Sequence, residues 1–108
     1  MANIFTVKTL ADGQLPSSKN TLYTVLPSTS TIVKTITYVN STASTIAVNL
    51  YVNIGGTSRR IIPTNMSMAA GALMIFDDEL TLAAGNTIEG DASAATSIDY
   101  VIEGVEET

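Results

Sequence analysis

The 108-residue chain contains no histidine, no cysteine and no tryptophan. Each absence removes a class of chemistry. Without histidine the commonest general base and metal ligand is missing, and serine and cysteine triads lose their central member. Without cysteine there are no disulfides, thiol nucleophiles or thiolate metal sites, and zinc sites of the ordinary kinds are excluded with them. Charge is also sparse: 14% of residues are charged, against about 25% in typical soluble domains. No apolar run approaches the roughly 18 residues that suggest a membrane-spanning helix. Residues 1–10 lack the apolar segment of a secretory leader, so none is expected.

Carboxylates are the one catalytic resource left. Asp77, Asp78 and Glu79 form the densest cluster, with Glu89, Asp91 and Asp99 further on. A glycosidase needs two carboxyl groups facing each other across a cleft. Such clefts are lined with aromatics, and the chain has only four tyrosines and two phenylalanines. The same cluster could offer oxygens to Ca²⁺, but it lacks the spaced acidic loop with its central glycine. The simpler reading is a solvated turn. The sequence therefore predicts no catalytic residue, no metal site, no cofactor and no small-molecule substrate.

What is abundant is threonine and serine, 16 and 10 residues, and with valine and isoleucine they suit half-buried pleated surfaces. Strand signals recur at short, even spacing. They fall at 4–10, 21–25, 31–39, 45–54, 57–62, 73–76, 80–82, 87–90 and 97–104, with 66–70 a short strand or irregular edge. The clearest is 45–54, where Ile46, Val48, Leu50, Val52 and Ile54 alternate with Ala47, Asn49, Tyr51 and Asn53. A period of two over that length marks a strand with one buried face. Gly55-Gly56 reads as a tight hairpin, Ala11-Asp12-Gly13 as a turn, and Glu106-Glu107-Thr108 as an acidic tail. In the 31–39 strand, Ile32, Lys34, Ile36 and Tyr38 fall on one face by simple alternation. The expected fold is all-β: an antiparallel β-sandwich or jelly roll of about eight or nine short strands. Residues 1–108 form a single domain, in which 1–20 supply an N-terminal strand or arm.

Net charge is −5, which argues against a grip on nucleic-acid phosphates. All five bases (Lys8, Lys19, Lys34, Arg59, Arg60) precede residue 61, and nine of the ten acids follow it. If the two halves took different faces, neighbouring copies could pair basic face to acidic face; alternatively, sandwich topology mixes the halves. Arg59 and Arg60 lie adjacent on a strand, so their side chains point to opposite faces and cannot form one clamp. They, with Asp77, Asp78 and Glu79, are the candidate interface residues. Tyr23, Tyr38, Tyr51 and Tyr100 are scattered over four strands, which favours packing over a stacking platform. Asn40-Ser41-Thr42 and Asn65-Met66-Ser67 match the glycosylation sequon, a frequent coincidence in Thr/Ser-rich chains.

A set of segments resembles small tail- and capsid-associated structural proteins of tailed bacteriophages. They are Thr21-Leu22-Tyr23-Thr24-Val25, Pro27-Ser28-Thr29-Ser30-Thr31-Ile32-Val33, Tyr38-Val39-Asn40-Ser41-Thr42, and Ile46-Ala47-Val48-Asn49-Leu50-Tyr51-Val52. The closing element is Leu80-Thr81-Leu82-Ala83-Ala84-Gly85-Asn86-Thr87-Ile88, followed by 92–95 and a last strand. Val25-Leu26-Pro27 stands where a simpler Val-Pro is usual in such proteins, and Asn86 where Asp is. The resemblance spans residues 20–103 and consists of structural punctuation, so it transfers no functional residue. It implies a β-sandwich accessory protein of the virion, assembled in the host cytoplasm. The expected job is capsid decoration (cement), with a tail, neck or fibre module as alternative and a carbohydrate-binding module as the rival from another class. The expected partners are the major capsid protein or other virion proteins and further copies of the chain, with no nucleic acid and no membrane.

Overall fold

The computed structural model describes residues 3–108, all in strands, turns and loops. Ten strands follow in order: β1 Phe5–Gln14, β2 Asn20–Thr24, β3 Ser30–Asn40, β4 Ile46–Ile54, β5 Thr57–Arg60, β6 Met66–Met68, β7 Leu73–Phe76, β8 Leu80–Leu82, β9 Thr87–Ala92 and β10 Ile98–Glu107. Of the N-terminal segment expected over 1–20, residues 1 and 2 lie outside the described residues.

The strands form two five-stranded antiparallel sheets. Sheet A runs β1-β10-β3-β7, with β8 also on β3; sheet B runs β2-β9-β4-β5, with β6 also on β4. Counting β5/β6 and β7/β8 as two broken strands, this is the strand order of an eight-stranded jelly roll. The all-β sandwich expected from the sequence is the fold observed.

The strict alternation of β4 has the predicted consequence. Ile46, Val48, Leu50 and Val52 point into the core, and Gly55 and Gly56 close the β4–β5 hairpin at φ 62° and 89°. Positive φ at both central residues is what a tight right-twisted hairpin needs, and glycine adopts it without strain. Facing β4 from sheet A are Val33, Ile36 and Tyr38 of β3 and Ile98, Tyr100 and Ile102 of β10. Tyr38 is fully buried and donates its hydroxyl to the backbone oxygen of Asn49 in sheet B at 3.1 Å. Gly90 makes the room: a Cβ there would lie 2.7 Å from that hydroxyl.

Asn40 is also fully buried. Its amide donates to the Ser44, Met68 and Ala69 carbonyls at 2.8, 3.0 and 3.1 Å, and its Oδ1 accepts from the Thr42 backbone and hydroxyl. The side chain thus ties the β3–β4 turn to the loop after β6. Its burial leaves no room for a glycan on the first sequon.

Three local expectations are corrected. First, Ala11-Asp12-Gly13 is strand, not turn: β1 continues to Gln14 after a register shift at Leu10. Ladder bonds to β10 override the local turn preference. Second, Glu106 and Glu107 are not a tail; they end β10 opposite Thr6 and Phe5. Third, β3 changes phase. Gly104 pairs with Val33 while Glu103 pairs with Thr35, which leaves Lys34 as the extra residue of a bulge. Thr31 and Val33 therefore share the core face with Ile36, Tyr38 and Asn40, and Ile32 turns outward.

Candidate functional site

The two sheets present very different outer faces. On sheet A the ladders align Val7 with Val105 and Ile32, Val101 with Thr37 and Ile75, and Val39 with Leu73. Five of the eight exposed large apolar side chains among the described residues belong to this face: Phe5, Val7, Leu73, Ile75 and Val101. They form two groups, Phe5 and Val7 at one end and Val101, Leu73 and Ile75 at the other, separated by the Thr9–Glu103–Thr35 row. Isolated exposed apolar residues are ordinary, whereas such groups on one face favour a contact surface. The bulges at Leu10 and Lys34 flank β10 at the same level, beside Glu103. There the face dips into a shallow groove lined by Val7, Thr9, Thr35, Glu103 and Val105.

The outer face of sheet B is a polar network. Asn49 donates to Asp91 Oδ1 at 2.7 Å and to Asn65 Oδ1 at 3.0 Å, and it accepts from the Arg60 guanidinium and from the Asn65 backbone N–H. Tyr51 donates to Asp91 Oδ2 at 2.9 Å. Lys19 and Arg60 approach the Tyr51 ring at 5.0 and 4.8 Å from its centroid, a cation–π arrangement. Ser58 donates to Glu89 at 2.7 Å. Asn49 and Tyr51 are buried although they face away from the core, because their own partners cover them.

Between the sheets sits an ionised group. Glu106 of β10 faces inward and is buried. It accepts from the Tyr23 hydroxyl at 2.8 Å and from Lys8 Nζ at 3.1 Å. The Tyr23 bond foremost, with Lys8 beside it, holds its carboxyl below the ordinary range against the opposing effect of burial. The Tyr23 phenol is pushed up to about 12, mainly by burial and further by the Glu106 charge. The Thr31 hydroxyl, 2.8 Å away, pulls it the other way as a donor to the phenol oxygen. Burial also raises Tyr38, Tyr51 and Tyr100.

The sequence-predicted interface residues fall in separate places. Arg60 pairs with Tyr51 and Arg59 with Val52 across the β4–β5 ladder, so the two do point to opposite faces; Arg60 is engaged in the sheet B network and Arg59 is exposed. Asp77, Asp78 and Glu79 lie in sheet A, between β7 and β8, where Glu79 pairs with Lys34 at 2.6 Å. The arginines and the acidic run are not joined by any ion pair among the described residues. Nor do three or more potential metal ligands gather anywhere among them.

The idea that the basic and acidic halves take opposite faces is overturned. Both sheets draw strands from both halves, and the Lys8–Glu106 and Lys34–Glu79 pairs join them. A polarity survives in another form. Sheet A with its β7–β8 turn carries eight acids and two bases, whereas sheet B with the adjoining Lys19 carries three bases and two acids. The four tyrosines are all buried, so they form no exposed stacking platform. Sequence reading missed the Asn49–Tyr51–Asp91 network. Its only trace was the polar alternation of Asn49, Tyr51 and Asn53 opposite the apolar face of β4.

No protein-family model matches the chain, and no curated protein is significantly similar to it in sequence. Its fold, however, has solved counterparts. A chain of the T13 infectious bursal disease virus particle superposes with a TM-score of 0.56, at 8% identity, over 98% of this chain and 30% of that one. A pentameric capsid protein isolated from metagenomic phage sequences gives a TM-score of 0.45, at 16% identity, over 91% of this chain and 61% of its own. The chain spans about a third of the length of the virus-particle chain that it superposes on best of these two. Strand order and that superposition together define a jelly-roll domain, the fold of part of the virus-particle chain. At this identity the likeness establishes the fold alone.

Proposed function

We propose that the chain is a structural protein of a tailed-bacteriophage virion, a capsid decoration (cement) protein that binds the shell and stabilises contacts between capsomers. The observation that carries this reading is the set of exposed apolar side chains on the outer face of sheet A, which stand among the outward acids Asp99, Glu103 and Glu107 of β10. That face spans β1, β10, β3 and β7, and it concentrates Phe5, Val7, Val101, Leu73 and Ile75 on one side of the domain. The fold is shared with a chain of a viral particle, and the sequence resembles accessory proteins of phage virions. Both support the same reading. The partner of this face is the major capsid protein, further copies of the chain act beside it, and no catalytic role is assigned.

The test is a reconstruction of the particle together with the copy number of the chain in purified virions. Hundreds of copies over the shell support decoration. Density confined to the tail, neck or fibres would sink the capsid placement and leave the alternative of a tail-associated module.

A further inference from the structure

We propose that the open edge of β1 is a self-pairing surface, on which residues 5–9 of one copy form an antiparallel ladder with residues 5–9 of a second copy, centred on Val7. This deepens the homo-oligomer part of the proposed function and rests on it, independently of where in a particle the chain resides.

β1 has β10 on one side and, among the described residues, no strand on the other. Ile4 and Thr108 exchange both backbone hydrogen bonds, at 3.0 and 2.9 Å, which sets the phase of the ladder. By antiparallel alternation Thr6 and Lys8 turn their backbone groups to β10, and Phe5, Val7 and Thr9 turn theirs to the open side. The register shift at Leu10 ends that phase. The uninterrupted free edge is therefore these three residues, with three N–H and three C=O groups.

Exposed edges are usually guarded by charge, proline or short length. Here the strand is ten residues long and has no proline. Its one cationic side chain, Lys8, is drawn to the inner face by Glu106. The outward side chains are Phe5 and Val7, 63% and 84% exposed.

A second copy fits this edge on three grounds. Antiparallel pairing about Val7 sets Phe5 opposite Thr9 of the other copy and Val7 opposite itself, so every free backbone group on both strands finds a partner. Lys8 then faces Thr6, whereas a ladder centred one residue later would set the two lysines against each other. The acidic side chains Glu103 and Glu107 of the two β10 strands would stand three strand spacings apart, about 14 Å, beyond the screening length of about 8 Å at physiological salt. Phe5 and Val7 of both copies would extend the apolar row of Val105 and Ile32 across the junction. Five residues per copy form a contact smaller than the roughly 800 Å² per partner of standard interfaces. The pairing is accordingly weak in dilute solution and strengthens where copies are concentrated.

The experiment is sedimentation of the full chain over a concentration series up to about millimolar, with circular dichroism to confirm folding of each variant. The wild type is expected to dimerise with concentration. Val7→Pro removes an open-edge N–H while sparing the β10 ladder, and should weaken association by about tenfold or more. Ile75→Lys, at the far side of the same sheet face, should leave it unchanged. Because the chain has no cysteine, Val7→Cys should give a disulfide-linked dimer on oxidation, and Leu73→Cys should not. A wild type that stays monomeric throughout overturns both self-pairing and the oligomeric reading. An oligomer that survives Val7→Pro, with no Val7→Cys cross-link, overturns the β1 edge alone.

Discussion

The Tyr23 hydroxyl donates to the Glu106 carboxylate at 2.8 Å, joining sheet B to sheet A. Tyr23→Phe removes that donor and leaves a buried carboxylate with Lys8 as its remaining side-chain partner. A buried group that loses a charge-assisted bond costs about 1–3 kcal/mol. Urea denaturation of the two proteins at neutral pH measures the difference, and equal midpoints would show that the bond contributes nothing.

Acid should act through the same pair. The Glu106 pKa is lowered in the fold, so its contribution to stability is present above its unfolded value of about 4.3 and is lost as pH falls through the lower folded value. The wild type should therefore lose stability on acidification below that pH more steeply than Glu106→Gln. Parallel stability–pH curves would remove Glu106 from the account.

Alkali should act through tyrosine. All four tyrosines are raised, Tyr23 to about 12. A raised pKa stabilises the fold below the unfolded value near 10 and withdraws that support as pH climbs toward the folded value. Ultraviolet titration of native protein should show tyrosinate forming above pH 10, together with unfolding. A tyrosine that titrates reversibly near its ordinary value in folded protein would contradict the packing described for it.

The bulge in β3 depends on Gly104. A Cβ at that position would sit 2.2 Å from the Ile32 backbone oxygen. Gly104→Ala must therefore displace main chain, at a cost of about 1–3 kcal/mol or more. Thermal melting should show a clear loss, and a neutral substitution would mean that the β10–β3 register differs from the one described.

On sheet B, Asn49→Ala removes four hydrogen bonds and strips Arg60, Asn65 and Asp91 of a shared partner. The expected loss is about 1 kcal/mol, because Arg60 and Asn65 are exposed and can turn to water while Asp91 keeps Tyr51. Arg60→Lys should not preserve the network fully, since an ammonium lacks the planar stacking surface that lies over Tyr51. Chemical denaturation of both variants checks this.

Much of the fold was legible because it rests on local pattern. The alternation of Ile46 to Ile54 and the paired glycines after it specify a half-buried strand and its hairpin with no knowledge of partners. Phase errors arose where an extra residue interrupts the pleat. Nothing in Val33-Lys34-Thr35 signals a bulge, because it exists only against Glu103 and Gly104, far along the chain. The same non-locality hid the charge layout. Lys8 and Glu106 read as members of opposite charged halves, yet strand order makes them an ion pair. That Arg59 and Arg60 take opposite faces follows from strand geometry alone. Their separation from Asp77–Glu79 could be read only from which sheet each joins.

The outer face of sheet A is the element on which the proposed role turns. Leu73→Asp and Ile75→Lys alter exposed side chains and should leave stability within about 0.5 kcal/mol of the wild type. Binding to shells that lack the chain should nevertheless fall by about tenfold or more, as expected when a contact residue is replaced by a charge. The most direct measurement is a reconstruction of such shells after the purified chain is added back. Density is expected over the capsomer surface with the β1-β10-β3-β7 face turned toward the shell, and it should be lost with the Leu73 and Ile75 variants. Shells that stay bare, or density in which this face points to solvent, would contradict the proposed role.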